Sequence, residues 1–272
     1  MDYRAFIETE LQKAANLANQ YFGKVSGTTK PGDNNQVLTE ADLAVGKQLV
    51  AAIQSSFPDH NIIDEEAGVI NRDSEYTWVI DPIDGTSNFA AGLPHYGILL
   101  GLLKGAEPIA GGVALPYFKE LYIAARGQGA YCNGKRLQVQ APDRLQDCLV
   151  AYGIDGHPED PEHTRAEAAL LGEILLNIRN LRDSNSAYDV AMVAAGRYAA
   201  LLAQTSKIWD NVAQHIVIEE AGGVYTSFDG RPIDYSDPLS KAGQNFTMCV
   251  AAPHIHQQLQ EVIRAHGMAQ GA

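Results

Sequence analysis

A pair of aspartates follows an apolar run in the most informative stretch of the sequence. Residues 78–80 are Trp, Val and Ile, and Asp81 and Asp84 come directly after them, separated by Pro82 and Ile83. Because Pro82 fixes its own φ and has no backbone N–H, the geometry between the two carboxylates is reproducible. Carboxylates, together with a carbonyl oxygen from Ile83, are hard ligands that suit Mg²⁺ or Mn²⁺ and not Zn²⁺. We expect a strand that ends here and delivers both aspartates into a turn.

Groups that bind phosphate follow the aspartates directly. Gly85, Thr86 and Ser87 can open a short helix whose first backbone N–H groups have no partner inside the helix. Such N–H groups, at the positive end of the helix dipole, bind phosphate well. Asp-Pro and Asp-Gly are also common in ordinary turns. A strand followed by DPIDGT and a helix start nevertheless favours a site for a metal–phosphate complex.

Further acidic residues follow other apolar runs. Asp64, Glu65 and Glu66 follow two isoleucines, and three adjacent like charges either face water or share a cation. Asp210 follows Trp209 at the start of an amphipathic helix, where an N-cap is the alternative interpretation. These residues are candidates for the same metal site.

A polar loop and a helix start lie upstream of the acidic segments. The loop of residues 27–36 contains Lys30 and Asp33, and a solvated surface hairpin is an alternative interpretation of it. Asp42 stands three residues after Thr39, a spacing that fits a capping box.

The spacing of apolar residues predicts the elements that position these side chains. Helices are expected at about 1–22, 39–57, 161–177, 187–196, 210–221 and 254–266. Strands are expected at about 61–63, 78–80, 96–103, 109–115, 120–125, 135–139, 148–152, 201–203, 224–228 and 246–251. Because the elements alternate without a clean break, an α/β or layered α+β fold in one unit is predicted.

Composition excludes several classes of protein. The chain has 272 residues and a formal net charge of −13, which disfavours nucleic acid and anionic membranes as partners. No run of 18 apolar residues occurs, and the charged N-terminus lacks the apolar core of a signal peptide, so a cytoplasmic protein is expected. Cys132, Cys148 and Cys249 are too scattered for a disulfide framework or a zinc site, and we expect buried free thiols.

The motifs together resemble the inositol monophosphatase family of magnesium-dependent, lithium-sensitive phosphatases. Besides Lys30, the matching segments are VLTEAD at 37–42, DEEAG at 64–68, DPIDGT at 81–86, GQGAYCNG at 127–134, WD at 209–210 and EAGG at 220–223. The resemblance implies a five-layer α-β-α-β-α sandwich in a single domain over residues 1–272. It also implies a metal-binding half at about 1–145, a substrate-specificity half at about 146–272, and a homodimer.

The resemblance implies a set of metal ligands. Glu66, Asp81 and the carbonyl of Ile83 would hold one Mg²⁺, and Asp81, Asp84 and Asp210 would hold a second, with Asp81 bridging. Two or three ions per site are implied, Mn²⁺ is a possible substitute, and Li⁺ is expected to inhibit. Two such ions stabilise both the attacking and the leaving oxygen of an in-line displacement.

The resemblance also implies how the reaction proceeds. Thr86 and Asp42 would orient and deprotonate a metal-activated water, and backbone groups of Gly85 and Thr86 would bind the phosphate. Glu65 would support the metal ligands or contribute to a third metal site. The loop of residues 27–36, with its lysine and aspartate, resembles the family's mobile metal-binding loop.

The resemblance implies that the substrate is a small-molecule phosphate ester and that its identity depends on the second half of the chain. Animal-type members carry an acidic residue seven positions before the aspartate of the WD motif, where this chain has Ala203. Ser186, Gln204 and Lys207 are the candidate substrate-binding residues, and Lys207 would suit a second anionic group. We expect a polyol or sugar phosphate, with inositol 1-phosphate first. Fructose 1,6-bisphosphate, histidinol phosphate and 3′-phosphoadenosine 5′-phosphate are alternatives, as is a non-catalytic role in a transcription complex.

Overall fold

Helices and strands alternate along most of the chain. The computed structural model describes residues 2–30 and 37–270, with side chains described up to residue 267. In those residues the helices are α1 (Tyr3–Tyr21), α2 (Glu40–Ser56), α3 (Thr86–Ala90), α4 (Pro161–Asn177), α5 (Ala187–Ala194), α6 (Ile208–Glu220) and α7 (Pro253–Gln270). The strands are β1 (Thr28–Thr29), β2 (Val37–Leu38), β3 (Asn61–Asp64), β4 (Gly68–Ile70), β5 (Tyr76–Asp84), β6 (Gly97–Lys104), β7 (Glu107–Leu115), β8 (Glu120–Ala125), β9 (Gly129–Cys132), β10 (Lys135–Arg136), β11 (Leu149–Gly153), β12 (Asn180–Arg182), β13 (Ala200–Ser206), β14 (Val224–Thr226) and β15 (Phe246–Ala251).

The described strands form two large sheets and one small hairpin. The larger sheet has eight strands in the order β10-β9-β8-β7-β6-β5-β3-β4, and the second has five in the order β12-β11-β13-β15-β14. The hairpin is β1 with β2. Strands β3 and β5 are parallel neighbours, so their carboxyl ends meet at the same edge of the larger sheet.

The sheets and helices stack in five layers. Helices α1 and α2 pack on each other and on one face of the eight-stranded sheet, while α5 and α6 contact strands of both sheets. Helices α4 and α7 pack together, and α7 contacts β15 and so covers the five-stranded sheet. The expected layered α/β fold is confirmed. None of the helices in the described residues is long and apolar enough to cross a membrane.

Two glycines allow α6 to approach the larger sheet closely. Gly101 and Gly111 are paired across β6 and β7. A Cβ on Gly101 would lie 2.8 Å from the backbone nitrogen of Ala213 in α6, and a Cβ on Gly111 would lie 2.8 Å from its Cα. Side chains at these two positions would therefore push the helix away, and with it Asp210 in its first turn.

One hydrophobic cluster joins the two halves of the chain. It includes Leu99 and Tyr122 from the eight-stranded sheet and Val150 and Leu202 from the five-stranded sheet, all fully buried. The division into one domain with two functional halves stays a prediction, and this shared cluster supports its single-domain part.

Several predicted boundaries are wrong. Strand β5 does not end at residue 80 but continues to Asp84, with an irregular register between Asp81 and Asp84 because Pro82 offers no N–H to the ladder. The strand expected over 135–139 stops at Arg136, since the N–H of Val139 turns to the Ala221 carbonyl at the end of α6. Helix α6 begins two residues earlier than predicted.

The three cysteines are free thiols. No disulfide joins them; Cys148 and Cys249 are buried as expected, whereas Cys132 is only half-buried. Cys132 lies in β9 next to the short edge strand β10, which leaves one side of it open.

Candidate active site

Three aspartates converge at the carboxyl end of β5. Asp81 and Asp84 come from the strand itself, and Asp210 comes from the first turn of α6. One carboxylate oxygen from each lies within 4.8 Å of the others. Asp210 is not an N-cap, the alternative left open by the sequence, because it is the third residue of α6. The structure thus brings together residues that are more than 120 positions apart in the sequence.

Backbone N–H groups hold these carboxylates in place. The N–H of Lys207 donates to Asp210 Oδ2 at 2.6 Å, and the N–H of Ala187 at the start of α5 donates to Asp84 Oδ1. Asp81 Oδ1 accepts the N–H of Ile83 at 3.1 Å within the irregular part of β5. Because these bonds fix one oxygen of each group, the remaining oxygens are available to a ligand.

The site carries uncompensated negative charge. Burial raises the pKa of both Asp81 and Asp84 well above the ordinary range, and the neighbouring carboxylates raise it further. Burial likewise raises the pKa of Asp210 to about 6 and that of Glu65 to about 7. Crowded carboxylates of this kind lose their protons readily only when a cation is present. The donor set therefore fits a hard divalent cation.

Glu65 and Glu66 lie in the turn after β3 and are paired with one lysine. Lys30 Nζ lies 2.8 Å from Glu65 Oε1 and 2.6 Å from Glu66 Oε1. Burial alone would lower the pKa of Lys30, but the bonds to both glutamates raise it. Asp64 shapes the turn by accepting the N–H groups of Glu66 and Ala67. Glu66, expected as a metal ligand, thus contacts the lysine here and not the three aspartates.

Asp42 is fully buried and is connected to the cavity through Thr86. Thr86 Oγ1 lies 2.7 Å from the carbonyl oxygen of Ile83 and 3.0 Å from Asp42 Oδ1. The other carboxylate oxygen accepts the N–H and hydroxyl of Thr39 at 2.8 and 2.5 Å, so the capping box is present as well. Burial raises the pKa of Asp42, and the bonds from Thr39 oppose that rise.

Gly85 allows the start of α3 to contact the start of α5. Its φ is +83°, a conformation that favours glycine, and it precedes the first residue of α3. A Cβ at this position would lie 2.7 Å from the Cβ of Ser186 and 3.1 Å from the carbonyl oxygen of His95. Because residue 85 has no side chain, it can lie next to Ser186, and both residues line the same cavity.

A cavity of about 500 Å³ opens over these groups. Ile83, Gly85, Thr86, Ser186 and Lys207 line it, each of which the sequence singled out. The acidic residues of its lining are Glu65, Asp81, Asp84, Asp155, Glu159, Asp189 and Asp210. Lys207 is the single lysine or arginine of the lining within the described part of the chain. The volume of the cavity is in the range of small-molecule sites.

Besides Lys30, Asp42 and Glu66, one further predicted site residue of the described part of the chain is not found in this lining. Gln204 is absent from it; its amide donates to the hydroxyl of Tyr152 at 3.0 Å, while Ala203 and Thr205 on either side face the cavity. The prediction that Gln204 contacts the substrate is not supported by this position. Asp33 lies outside the described residues.

The structure adds an acidic residue that the sequence analysis missed. Asp189 in α5 is buried and lines the cavity, and its Oδ2 accepts the N–H of Ser184 at 2.9 Å. Its other oxygen has no hydrogen-bond partner. The signal was present, since a serine, Ser186, precedes Asp189 by three residues at the start of a helix, which is the spacing of a capping box. The fold and cavity define a layered α/β protein with a site of hard oxygen ligands.

Comparison with known proteins agrees with this class. The family model described as the inositol monophosphatase family matches residues 2–266. A relative from Aquifex aeolicus (strain VF5), named fructose-1,6-bisphosphatase/inositol-1-monophosphatase, is 35% identical over 260 residues, which cover 90% of this chain and 96% of the relative. The Nus factor SuhB of Haemophilus influenzae is 34% identical over 204 residues, covering 74% of this chain and 75% of the relative. The solved structure of an IMPase from Thermotoga maritima has a TM-score of 0.84 and 28% identity, covering 99% of both chains. The chain belongs to the inositol monophosphatase family.

Proposed function

We propose that this protein is a Mg²⁺-dependent phosphomonoesterase that acts on a small polyol or sugar phosphate. The observation that carries the proposal is the charge of the cavity, where seven carboxylates stand against one lysine. A phosphate dianion would be repelled from such a cavity unless divalent cations compensated the carboxylates. Membership of a phosphatase family supports the same conclusion.

The residues that would hold the cations are those with free oxygens around the cluster. Asp81, Asp84 and Asp210 would contribute carboxylates, and the Ile83 carbonyl a further oxygen. Glu66 would join them only after exchanging its bond to the lysine of the neighbouring loop, and Glu65, already in the lining, would support a third site. Bound Mg²⁺ would acidify a water and stabilise charge on the phosphate and on the leaving oxygen. Mn²⁺ is expected to substitute, and Li⁺ to inhibit.

Thr86 and Asp42 would accept the proton of the attacking water. The Thr86 hydroxyl donates its only proton to Asp42 or to the Ile83 carbonyl, so its lone pairs are free to accept a hydrogen bond from a water in the cavity. Asp42 has no contact with the cavity of its own and would receive the proton through Thr86. The raised pKa of Asp42 makes it a stronger base than an exposed aspartate.

Gly85 and Thr86 would bind the phosphate, and other residues of the lining would bind the alcohol. Backbone N–H groups at the start of α3 offer donors without a side chain in the way. Ser186 and Thr205 offer hydroxyl groups to a polyol. The neutral Ala203 stands where a carboxylate binds sugar hydroxyls in animal-type members, so the preference among polyols is expected to differ.

Inositol 1-phosphate is the first candidate substrate and fructose 1,6-bisphosphate the second. The name of the relative from Aquifex aeolicus covers both activities. Lys207 favours the bisphosphate as second candidate, since it lines the cavity and its Nζ is held 3.1 Å from the Gly243 carbonyl. A second phosphate on the substrate could replace that carbonyl as the acceptor of the hydrogen bond from the Lys207 ammonium group.

A substrate panel tests the proposal. Phosphate release from inositol 1-phosphate, fructose 1,6-bisphosphate, histidinol phosphate and 3′-phosphoadenosine 5′-phosphate would be followed with Mg²⁺ and with EDTA. We expect Mg²⁺-dependent turnover of at least one of the first two. The name of the SuhB relatives raises a non-catalytic role as the competing hypothesis. No turnover of any ester by folded, Mg²⁺-loaded protein would favour that hypothesis and contradict ours.

We also propose that the protein is a cytoplasmic homodimer. The family resemblance supports the homodimer. The described cysteines, which form no disulfide, are consistent with the reducing cytoplasm. Light scattering after size exclusion measures the assembly directly, and a monomer at micromolar concentration would contradict it.

A further inference from the structure

A second group of potential metal ligands lies on the rim of the cavity, outside the aspartate cluster. His157 comes from the loop after β11, while His163 and Glu167 come from the first turns of α4. A ring nitrogen of each histidine and a carboxylate oxygen of Glu167 all lie within 4.8 Å of one another. None of these three residues has a part in the proposed phosphatase reaction.

Two of the three ligands each have one buried polar atom without a partner. Glu167 is only 3% exposed, and its Oε2 has no hydrogen bond. The Nε2 of His157 is also buried and also has no hydrogen bond. A buried polar atom without a partner costs about 1–3 kcal/mol. Both residues belong to a group whose potential ligand atoms lie within 4.8 Å of one another, so an ion bound there would relieve that cost.

The surroundings of His157 prepare it as a ligand. Its Nδ1 lies 3.2 Å from Glu159 Oε1, so a proton on Nδ1 is bound by the carboxylate and Nε2 keeps its lone pair. A histidine that donates one N–H to a carboxylate and turns the other nitrogen inward is typical of metal sites. The backbone N–H of His157 donates to Thr164 Oγ1 at 2.8 Å, which ties the loop to α4.

The helix supplies the other two ligands from one face. His163 and Glu167 are four residues apart, so their side chains lie above one another on α4. The His163 ring is exposed and is 5.0 Å from the His157 ring, centroid to centroid. Ligand atoms around a tetrahedral ion with bonds of about 2.0–2.1 Å are about 3.3 Å apart. The ligand atoms lie up to 4.8 Å apart without an ion, so the exposed His163 side chain would have to move inward when the ion binds.

We propose that His157, His163 and Glu167 form a binding site for a divalent transition metal ion, with Zn²⁺ as the best match. Two imidazoles and one carboxylate suit Zn²⁺ or Co²⁺, whereas Mg²⁺ prefers the oxygens of the aspartate cluster. Three protein ligands leave a fourth position open. Since His157 and Glu159 both line the cavity, that position is accessible from the space that holds the substrate.

Co²⁺ absorption spectroscopy tests the site in the full chain with excess Mg²⁺ present. Tetrahedral Co²⁺ with nitrogen ligands absorbs visible light strongly, and Co²⁺ in a six-oxygen site absorbs weakly, so the two sites are distinguishable. We expect one equivalent of tetrahedral Co²⁺, displaced by Zn²⁺. Weak absorption only, or displacement by Mg²⁺, would overturn the proposal.

Variants assign the signal to these residues. His163→Ala should weaken Co²⁺ binding at least about 100-fold, and since this side chain is exposed the fold is expected to be unaffected. Glu159→Gln should weaken binding by about 10–100-fold through His157. His254→Ala, which removes an exposed histidine on α7, should change nothing. Equal binding by His163→Ala and wild type would show that the pair of histidines is structural only. Asp84→Asn should keep the tetrahedral signal, which separates this proposal from the proposed phosphatase site.

Discussion

We expect the Asp84→Asn variant to be more stable than wild type without metal and less stable than wild type with Mg²⁺. Asparagine has nearly the same shape as aspartate, and its side-chain oxygen can still accept the N–H of Ala187. The substitution therefore removes one negative charge from the cluster and keeps the backbone in place. Two ionised carboxylates with oxygens no more than 4.8 Å apart repel each other by at least about 3 kcal/mol at an effective dielectric constant near 20. Since the raised pKa values relieve part of this by protonation, we expect the variant without metal to be about 1–2 kcal/mol more stable than wild type.

With Mg²⁺ the order should change. At a concentration of 100 times its Kd, a ligand stabilises a protein by about 2.7 kcal/mol. If the loss of one carboxylate weakens Mg²⁺ binding about 100-fold, the variant gains only about 0.4 kcal/mol under the same conditions. For a chain of this length, 1 kcal/mol corresponds to about 2–4 °C in Tm. Mg²⁺ should thus raise the Tm of wild type by about 5–10 °C and that of Asp84→Asn by about 1 °C, and the variant should lose activity.

Thermal unfolding in EDTA and in Mg²⁺ measures both effects, with phosphate release as the second readout. The matched control is Asp59→Asn, which removes one exposed carboxylate at the end of α2. The control should respond to Mg²⁺ as wild type does. An equal rise in Tm for Asp84→Asn and wild type, or unchanged kcat in the variant, would refute the assignment of Asp84 as a ligand.

Three further predictions concern other parts of the structure. Thr86→Val should lower kcat by about 100-fold or more with a nearly unchanged KM, because it removes the hydroxyl between the cavity and the buried aspartate; steady-state kinetics decides, and a normal kcat would contradict the relay. Gly85→Ala should lower the free energy of unfolding by about 2 kcal/mol, because the φ of residue 85 is +83° and a Cβ there would contact Ser186. Denaturant titration measures this loss, and an unchanged free energy of unfolding would be inconsistent with the close contact between Gly85 and Ser186. Glu219→Gln should cost about 1 kcal/mol at pH 7, because bonds from His215 and Arg126 lower the pKa of Glu219 to about 2. The stabilisation is present above the ordinary pKa of about 4.5 and is lost as pH falls towards 2, so wild type and variant should converge in acid; a constant difference down to pH 2 would argue against this ion pair.

The local part of the site was predictable from the sequence. Asp81 and Asp84 follow an apolar run within one segment, and Thr39 with Asp42 has the spacing of a capping box. Short-range spacing fixes which face of an element these side chains occupy. Their neighbours along the chain therefore carried the information.

The convergence of distant segments was not predictable from spacing alone. Asp210 reaches the other aspartates because α6 packs closely on β6 and β7 over Gly101 and Gly111. A glycine in a strand can serve a bulge, a bend or close packing, and a single sequence does not distinguish these. The resemblance to a family supplied what the pattern lacked.

The position of Gln204 depends on where β13 ends. The spacing of apolar residues predicts an end at Ala203, and Gln204 is a candidate substrate-binding residue because it is one of the polar residues in the segment before the WD motif. Strand β13 continues to Ser206, and alternation along it turns Ala203 and Thr205 to the cavity and Gln204 to Tyr152. Because the last residues of β13 are polar, the pattern of apolar residues does not indicate where the strand ends.

We propose that divalent cations convert an acidic cavity into a site for phosphate esters. The most direct measurement is the affinity of inorganic phosphate for the protein by calorimetry, once with saturating Mg²⁺ and once with EDTA. We expect measurable phosphate binding with Mg²⁺ and none with EDTA, because without cations the acidic cavity offers the anion a single ammonium group, that of Lys207, among the described residues. Equal affinity under both conditions would contradict the claim.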